Sequence, residues 1–464
     1  TAIGANALAN QNFTSATNTY NTAVGFDAGV AITTGFNNTA VGGLALDAQT
    51  TGDYNVALGT LALSGDTTGN KATGVGYGAL AAQNVTNSAD TFNTAVGYTA
   101  GAAVTTGTHN TFIGGLSGDA NTTASNNTAV GYSSLSDNTT GTSNSALGFG
   151  ALNTNTTANN NTGVGYVALN LNTTGANNTA VGAFALNANT TGSSITAIGY
   201  NAAGNNTTAA NTTMVGHNAG DAITTGNNNV AVGSNALSTV TTGVSNVAMG
   251  TSALANNTAS NNTAFGNGAL GTNTTASNNT AVGYLALDAN TTGTRNVAVG
   301  AGALDSNTTA NDNTSMGYIS LTANTTGVDN TAFGSETLRD NTTGVRNTGL
   351  GRAALRANTG SNNTGVGHAA LLANTSGSSN VAVGRNALDD NTTASNNTAV
   401  GTEALTANTT GEDSTALGYA ALRDNTTASN NTAVGYFALE ANTTGVQNVA
   451  MGALALSGNT TSNN

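Results

Sequence analysis

The sequence of 464 residues contains no cysteine, no proline and no tryptophan, and only 6% of its residues are charged. The absence of cysteine excludes a disulfide framework, a thiolate metal site and cysteine catalysis. Three histidines and eight lysines and arginines supply little for general acid–base chemistry or for a basic nucleic-acid surface. A net charge of −13 would repel nucleic acid and anionic membranes. We therefore expect neither an enzyme nor a nucleic-acid-binding protein.

Long hydrophobic runs and changes of composition are also missing. No stretch approaches the roughly 18 apolar residues of a membrane-spanning helix, so no membrane span is predicted. Length alone would suggest about three domains, but the uniform composition favours one repeat domain over residues 1–464. The chain begins at Thr1 without a basic and apolar signal segment, which suggests that it is processed or excised from something longer.

What the sequence has instead is one short unit repeated along its whole length. A glycine that follows a small and an apolar residue, as in Ala281-Val282-Gly283, occurs 27 times, and 22 of the 26 intervals between these key glycines are 17 residues. Two intervals are 16 residues and two are 21, and the longer ones predict loop insertions around Phe13–Ala16 and Val85–Ala89. The consensus unit is N-T-A-V-G-Y-x-A-L-x-x-N-T-T-G-x-x.

The length and content of this unit indicate the fold class. Seventeen residues is too short for a helical-pair repeat of about 34 or a propeller blade of about 40, and its Gly, Asn and Thr content disfavours helix. Disorder is the alternative, but large apolar residues held in register over 27 units argue against it. We predict an all-β parallel β-solenoid, a β-helix or β-roll of about 27 coils, uncapped at both ends. At about 4.8 Å per coil it would be roughly 130 Å long.

Two positions of the unit carry large apolar residues and are predicted to form interior columns. The first precedes the key glycine and the second follows it by four residues, and the Thr or Val two residues before the first column is predicted to point inward as well. Each buried Leu or Val would contribute about 1.5–3 kcal/mol. The predicted core residues are Val130, Leu147, Val164, Val181 and Val282 in the first column and Leu135, Leu152, Leu169, Leu186 and Leu287 in the second.

Small residues recur at fixed positions too. The key glycines, among them Gly131, Gly148, Gly165 and Gly283, and the glycine of N-T-T-G are predicted to occupy turns with positive φ. Two columns of Ala or Gly would permit close approach, either to the opposite wall of the coil or to a neighbouring chain. The residue after the key glycine varies and is often aromatic, which predicts an exposed column.

The N-T-T segment allows three interpretations. Its side chains could stack as hydrogen-bonded ladders that close the turns, or its threonines could form a flat face that binds ice or carbohydrate. The segment is also an N-glycosylation acceptor sequence. The candidate acceptors are Asn121, Asn138, Asn155, Asn172 and Asn189.

No arrangement of residues suggests a catalytic site, a metal site or a cofactor. His109, His217 and His368 lie far apart in the chain. Asp288 and Asp305 occupy the same position of successive units and could share a cation or remain a solvated pair.

The repeat, as in residues 279–287 with N-T-A-V-G-Y-L-A-L, resembles the head repeats of trimeric autotransporter adhesins and the repeats of phage-type tail fibres and related bacterial surface fibres. The resemblance covers essentially the whole chain. It implies a parallel β-solenoid or β-roll at the cell surface, with a fibre or adhesin role and often three chains. The unit is longer than the roughly 14-residue adhesin coil.

The first and last residues would join into an ordinary unit, because the segment after Gly452 plus the segment up to Gly4 gives a 16-residue interval. Either copies stack head to tail or the sequence is a window of a longer solenoid. The predicted assembly ends are Thr1, Ala2, Ile3, Gly4, Thr461, Ser462, Asn463 and Asn464. We expect a structural subunit of an extracellular filament whose partner is itself, head to tail or as a homotrimer. The alternative is an adhesin or tail-fibre shaft that binds surface glycans through Tyr132, Tyr166 and Tyr200, and ice binding is a third possibility.

Overall fold

The computed structural model describes residues 1–13 and 18–463. The chain divides into two compact units, Thr1–Ala231 and Val232–Asn464, and each is described by itself. The described residues contain no helix and 27 short strands, nearly all of three residues. The all-β prediction is therefore confirmed, whereas the single-domain interpretation stays a prediction.

The strands follow the 17-residue repeat. In chain order they are β1 (Ala2–Ile3), β2 (Thr22–Val24), β3 (Thr39–Val41), β4 (Val56–Leu58), β5 (Thr73–Val75), β6 (Thr94–Val96), β7 (Thr111–Ile113), β8 (Thr128–Val130), β9 (Ser145–Leu147), β10 (Thr162–Val164), β11 (Thr179–Val181), β12 (Thr196–Ile198), β13 (Thr213–Val215), β14 (Val230–Val232), β15 (Val247–Met249), β16 (Thr263–Phe265), β17 (Thr280–Val282), β18 (Val297–Val299), β19 (Thr314–Met316), β20 (Thr331–Phe333), β21 (Thr348–Leu350), β22 (Thr364–Val366), β23 (Val381–Val383), β24 (Thr398–Val400), β25 (Thr415–Leu417), β26 (Thr432–Val434) and β27 (Val449–Met451).

Within each unit, successive strands pair in parallel and in register. Val164 of β10 lies beside Val181 of β11, exactly one repeat further along the chain. The same register joins β1 to β13 through the first unit and β15 to β27 through the second. One strand per repeat, with every strand beside its counterpart in the next coil, is the pattern of the predicted parallel β-solenoid.

The key glycines adopt the predicted positive φ. Gly165 has φ of 137°, and a Cβ on it would lie 2.5 Å from the carbonyl oxygen of Gly182 in the next coil. Gly131, Gly148 and Gly283 have φ of 141°, 134° and 138°. Both the backbone conformation and the close approach of the next coil therefore require glycine.

The N-T-T-G glycines differ from the prediction, because they are absent from the residues with positive φ. At Gly175 the constraint is space alone. A Cβ there would lie 2.6 Å from Oδ1 of Asn172 and 2.9 Å from Nδ2 of Asn189. These glycines let buried amides approach the backbone.

The predicted direction of the strand side chains is wrong. The middle residue of each strand points inward: Ala129, Ala146 and Ala180 are at most 2% exposed. Thr128 is exposed and Leu147 is 51% exposed, so the residues on either side of the middle one point outward. Val130, Val164, Val181 and Val282 are likewise only partly buried. The first predicted core column therefore lies on the outer face of the sheet.

The physical reason is the narrow interior of the coil. A Cβ on Gly163, a middle residue, would lie 3.3 Å from Cγ of Leu152 and 3.1 Å from the carbonyl oxygen of Ala168. Nothing larger than alanine fits here without displacing the leucine. The alanine columns thus face the opposite wall of the coil, which leaves them unable to contact a neighbouring chain.

The second predicted column is confirmed as core. Its members are fully buried: Leu135, Leu152, Leu169, Leu186 and Leu287. They have φ between 53° and 55°, a left-handed conformation that costs a non-glycine residue about 1–2 kcal/mol. Burial of a leucine side chain, about 1.5–3 kcal/mol, offsets that cost.

Two coils with a large middle residue show how the interior volume is conserved. Phe112 is fully buried, and Gly101 and Gly118 stand where the leucine column would otherwise continue. A Cβ on Gly101 would lie 2.9 Å from the Phe112 ring, and one on Gly118 would overlap it. Met214 is accommodated in the same way by Gly220. Large strand residues are therefore paired with glycine in the turn.

Of the two predicted insertions, the one around Val85–Ala89 is a loop. The loop follows the buried Val85. It rejoins the preceding coil at Ala89, whose carbonyl accepts a hydrogen bond from the Asn70 N–H at 3.0 Å. Lys71 then pairs with Asp90 at 2.6 Å. The other insertion, Phe13–Ala16, falls outside the described residues from Thr14 onward.

Candidate functional site

Four features of the surface were candidates for function: the N-T-T segments, the aromatic column, the outer sheet face and the terminal coils. The N-T-T asparagines are the first. In the coil of β10, Asn172 Nδ2 donates to Oδ1 of Asn155 at 2.9 Å and to the carbonyl of Gly175 at 2.9 Å. Asn189 Nδ2 donates in turn to Oδ1 of Asn172 at 2.8 Å. The predicted asparagine ladder is confirmed.

This ladder leaves no room for a glycan on the five candidate acceptors. The side chains of the five candidate acceptors are fully buried: Asn121, Asn138, Asn155, Asn172 and Asn189. A glycan linked to such an amide nitrogen would displace its internal hydrogen bonds and would have to pass through the wall of the coil. Glycosylation of these residues is therefore incompatible with the folded chain. The threonines that follow them complete the ladder, as Thr156 Oγ1 donates to the Thr173 carbonyl at 3.1 Å.

A second asparagine ladder, which the sequence interpretation missed, precedes the strands. The backbone N–H of Asn161 donates to Oδ1 of Asn144 at 3.0 Å, and Asn178 repeats the bond to Asn161 at 2.9 Å. Nδ2 of Asn161 donates to the carbonyl of Gly175 at 2.9 Å. The signal was present in the consensus, where an asparagine precedes nearly every T-A-V. Both ladders satisfy buried polar groups between coils and so have a structural role.

One buried carboxylate interrupts the first ladder. Asp66 is fully buried, and its Oδ2 accepts a hydrogen bond from Nε2 of Gln83 at 2.7 Å. Its Oδ1 accepts from the N–H of Gly69 at 2.9 Å. Burial raises the pKa of Asp66, and the hydrogen bonds from Gln83 and Gly69 oppose the rise only in part.

The aromatic residues after the key glycines form the exposed column that the sequence predicts. Tyr132 stacks on Phe149 with ring centroids 5.6 Å apart, and Phe149 stacks on Tyr166 at 5.5 Å, with interplanar angles of 17° and 16°. Tyr200 stacks on His217 at 5.4 Å. Within these stacks the facing ring surfaces cover one another, whereas Tyr284 and Tyr318 of the same column are each 60% exposed.

The outer sheet face carries the residues on either side of the buried strand centre. The residue before the key glycine is Val, Leu, Ile, Phe or Met in all 27 strands, and the strands contain no charged residue. Leu147, Ile198, Phe265 and Phe333 are 40–51% exposed. In each unit this face carries a continuous column of partly exposed apolar side chains, beside a second column that is mostly threonine.

The terminal coils expose residues whose counterparts elsewhere are buried. Leu456 is 39% exposed, whereas Leu439, one coil earlier, is fully buried. Met451 is 74% exposed. The predicted assembly residues are exposed at both ends: Thr1, Ala2, Ile3 and Gly4, and Thr461, Ser462 and Asn463. Asn464 lies outside the described residues.

Residues 1–13 and 18–463 contain no cluster of metal-ligating side chains. No group of three His, Asp or Glu side chains there could hold a metal ion, and no pocket opens in the surface of this part of the chain. Burial raises the pKa values of Asp288 and Asp305, and the charge of Asp288 adds to the rise at Asp305. A search of the described residues for helices long and apolar enough to cross a membrane finds none.

No protein-family model matches the chain, and no curated protein matches it either. The resemblance to adhesin heads and tail fibres therefore stays a prediction. Function is argued below from the geometry of the coils and their surfaces.

Proposed function

We propose that the chain is a structural subunit of an extracellular filament or fibre, in which copies stack head to tail as further coils of one solenoid. Support comes from the hydrogen bonds between coils. In one coil, the Phe184 N–H donates to the Tyr166 carbonyl of the preceding coil at 3.0 Å, and the Leu186 N–H donates to the Ala202 carbonyl of the next at 2.9 Å. Because most described coils within each unit repeat this pattern, the upper surface of such a coil complements the lower surface of most others.

In the proposed filament, a coil of the next copy would pack on the coil of β27. Leu456 and Met451 are exposed there together with backbone groups that pair with the next coil elsewhere in the unit. A second copy placed on this surface would bury Leu456 as Leu439 is buried. It would also provide hydrogen-bond partners for the backbone groups at the edge of the sheet. Contact between two different surfaces of identical subunits propagates instead of closing, which produces a filament.

An adhesin or tail-fibre shaft remains the second candidate, because Tyr132, Tyr166 and Tyr200 are half exposed. Sugar rings bind to the faces of aromatic side chains, however, and the column turns those faces toward neighbouring rings. This geometry favours the structural role over glycan recognition. The extracellular location is part of the proposal and comes from the resemblance of the repeat.

Electron microscopy of the purified 464-residue chain tests the proposal. We expect long unbranched fibres, and we expect Leu456→Glu to abolish them, because a charge would then be buried at each junction. Thr444→Glu is the matched control, since it adds the same charge at an exposed position one coil earlier. Particles one chain long from the unmodified protein would contradict head-to-tail stacking. Glycan binding lost in a Tyr132, Tyr166 and Tyr200 triple alanine variant would favour the adhesin.

A further inference from the structure

The outer sheet face has a composition that solvent exposure alone does not explain. Other half-exposed positions of the repeat vary freely: the position after the key glycine holds Tyr166, Ala183, His217 or Arg352. The position before that glycine is apolar in all 27 strands, although its side chain points away from the interior. A position that is not core and still excludes every polar residue is typical of a surface that another molecule covers.

We infer that this face packs laterally against the same face of a second copy of the chain, so that two copies lie side by side. The inference rests on the proposed structural role, in which copies of the chain meet one another. It differs from head-to-tail stacking, because the contact is made by the outward residues of β1–β13 or β15–β27 and not by the stacking surfaces of the terminal coils.

The area of the face is sufficient for a specific contact. Thirteen strands form each unit's face, and all of them except β1 have three residues. With strands about 4.8 Å apart and about 10 Å long, the face covers about 600 Å². Two such faces together would bury about 1,200 Å², which reaches the range of specific protein–protein interfaces.

Charge and periodicity select a second copy as the occupant. The chain carries a net charge of −13, but its strands contain no charged residue, so two copies can approach here without burying like charges. A copy also has the same spacing between strands, so its columns of Thr and Val can interdigitate with those of its partner along the whole unit. Two-fold pairing covers both faces at once and leaves neither exposed.

The test alters the face on alternate coils of the first unit, so that the new charges are two coils apart. The face variant is Val130→Glu, Val164→Glu and Ile198→Glu, and the control is Thr140→Glu, Thr174→Glu and Thr208→Glu, three exposed positions at the same spacing. A milder variant replaces the same three face residues with Thr, which preserves β-branching and adds no charge. Circular dichroism establishes that each variant is folded.

The measurements are sedimentation of the chain and the width of its fibres by electron microscopy. We expect paired copies from the unmodified chain and the control, and single copies from the glutamate variant. The affinity of lateral association should be at least about tenfold lower in the glutamate variant. The threonine variant should lie between them.

The two proposals fail in different ways. Fibres one rod wide from the unmodified chain would overturn lateral pairing and leave head-to-tail stacking intact. Side-by-side pairs without long fibres would support lateral pairing and contradict the filament. A particle of three chains in cross-section would overturn the two-fold pairing, and glutamate variants that pair as the control does would show that another face makes the contact.

Discussion

Exchange of two neighbouring residues in β11 would test the inward alanine and outward valine directly. The double variant Ala180→Val and Val181→Ala changes T-A-V to T-V-A and leaves the composition unaltered. Ala180 is fully buried, whereas Val181 is partly exposed on the outer face. The interior has little spare room at this level, since even a Cβ on Gly163, one coil earlier, would lie 3.3 Å from Cγ of Leu152.

Both replacements should destabilise the coil, but unequally. Two extra methyl groups at position 180 would overpack the interior at a cost of about 1–3 kcal/mol. Loss of the half-buried valine methyl groups at position 181 would cost about 0.5–1 kcal/mol. Together these give about 1.5–4 kcal/mol, which corresponds to about ten- to a thousandfold faster hydrogen exchange at amides of this coil.

Native-state hydrogen exchange suits a solenoid, because stability is then read coil by coil. The protected amide of Leu186, which donates to the Ala202 carbonyl at 2.9 Å, reports on the altered coil. Val181→Ala alone is the control and should accelerate exchange about fivefold or less. Exchange in the double variant within threefold of the unmodified chain, or faster exchange in the single variant than in the double, would refute the assigned direction of these side chains.

Three further changes test the interior. Leu169→Ala removes a fully buried side chain and should lower the free energy of unfolding by about 2–5 kcal/mol in urea denaturation. Asn172→Ala leaves its ladder neighbours without partners and should cost about 1–3 kcal/mol, whereas the exposed Thr174→Ala should change stability by less than about 0.5 kcal/mol. Asp66→Asn should stabilise the chain at neutral pH, because the raised pKa of Asp66 means that its protonated form is favoured in the fold. That contribution is present below the unfolded pKa near 3.8 and is lost as pH rises through the folded pKa, so the advantage of Asp66→Asn should vanish in acid melts; a constant advantage at all pH values would contradict it.

The repeat period, the parallel solenoid, the leucine column and the first asparagine ladder could all be predicted from the sequence. Each follows from spacing, because a residue type that recurs every 17 positions must stack on itself in a coil. The direction of the strand side chains could not be predicted from spacing. Ala180 and Val181 are neighbours in β11 and point to opposite faces whichever face is the interior. The rule that large apolar residues are buried selected the wrong face as the interior.

The decisive quantity was the width of the coil, which the sequence does not state. Leucine in a left-handed conformation and two buried asparagines already fill the interior, so only alanine or glycine remains possible at the strand centre. One indication was present in the sequence. Phe112 stands at a strand centre where Gly101 and Gly118 replace the leucines, and such compensation marks the strand centre as an interior position.

That compensation also constrains how the chain could change in length over generations. Unequal recombination between near-identical repeats can delete or duplicate one coil, and in most places the new neighbours would fit as the old ones did. A crossover between Gly101 and Phe112 would instead bring a leucine from another repeat against the phenylalanine ring. The coil that contains Gly101 and the coil that contains Phe112 must therefore be inherited together. Variants of this protein with different numbers of coils should gain or lose these two coils as a pair.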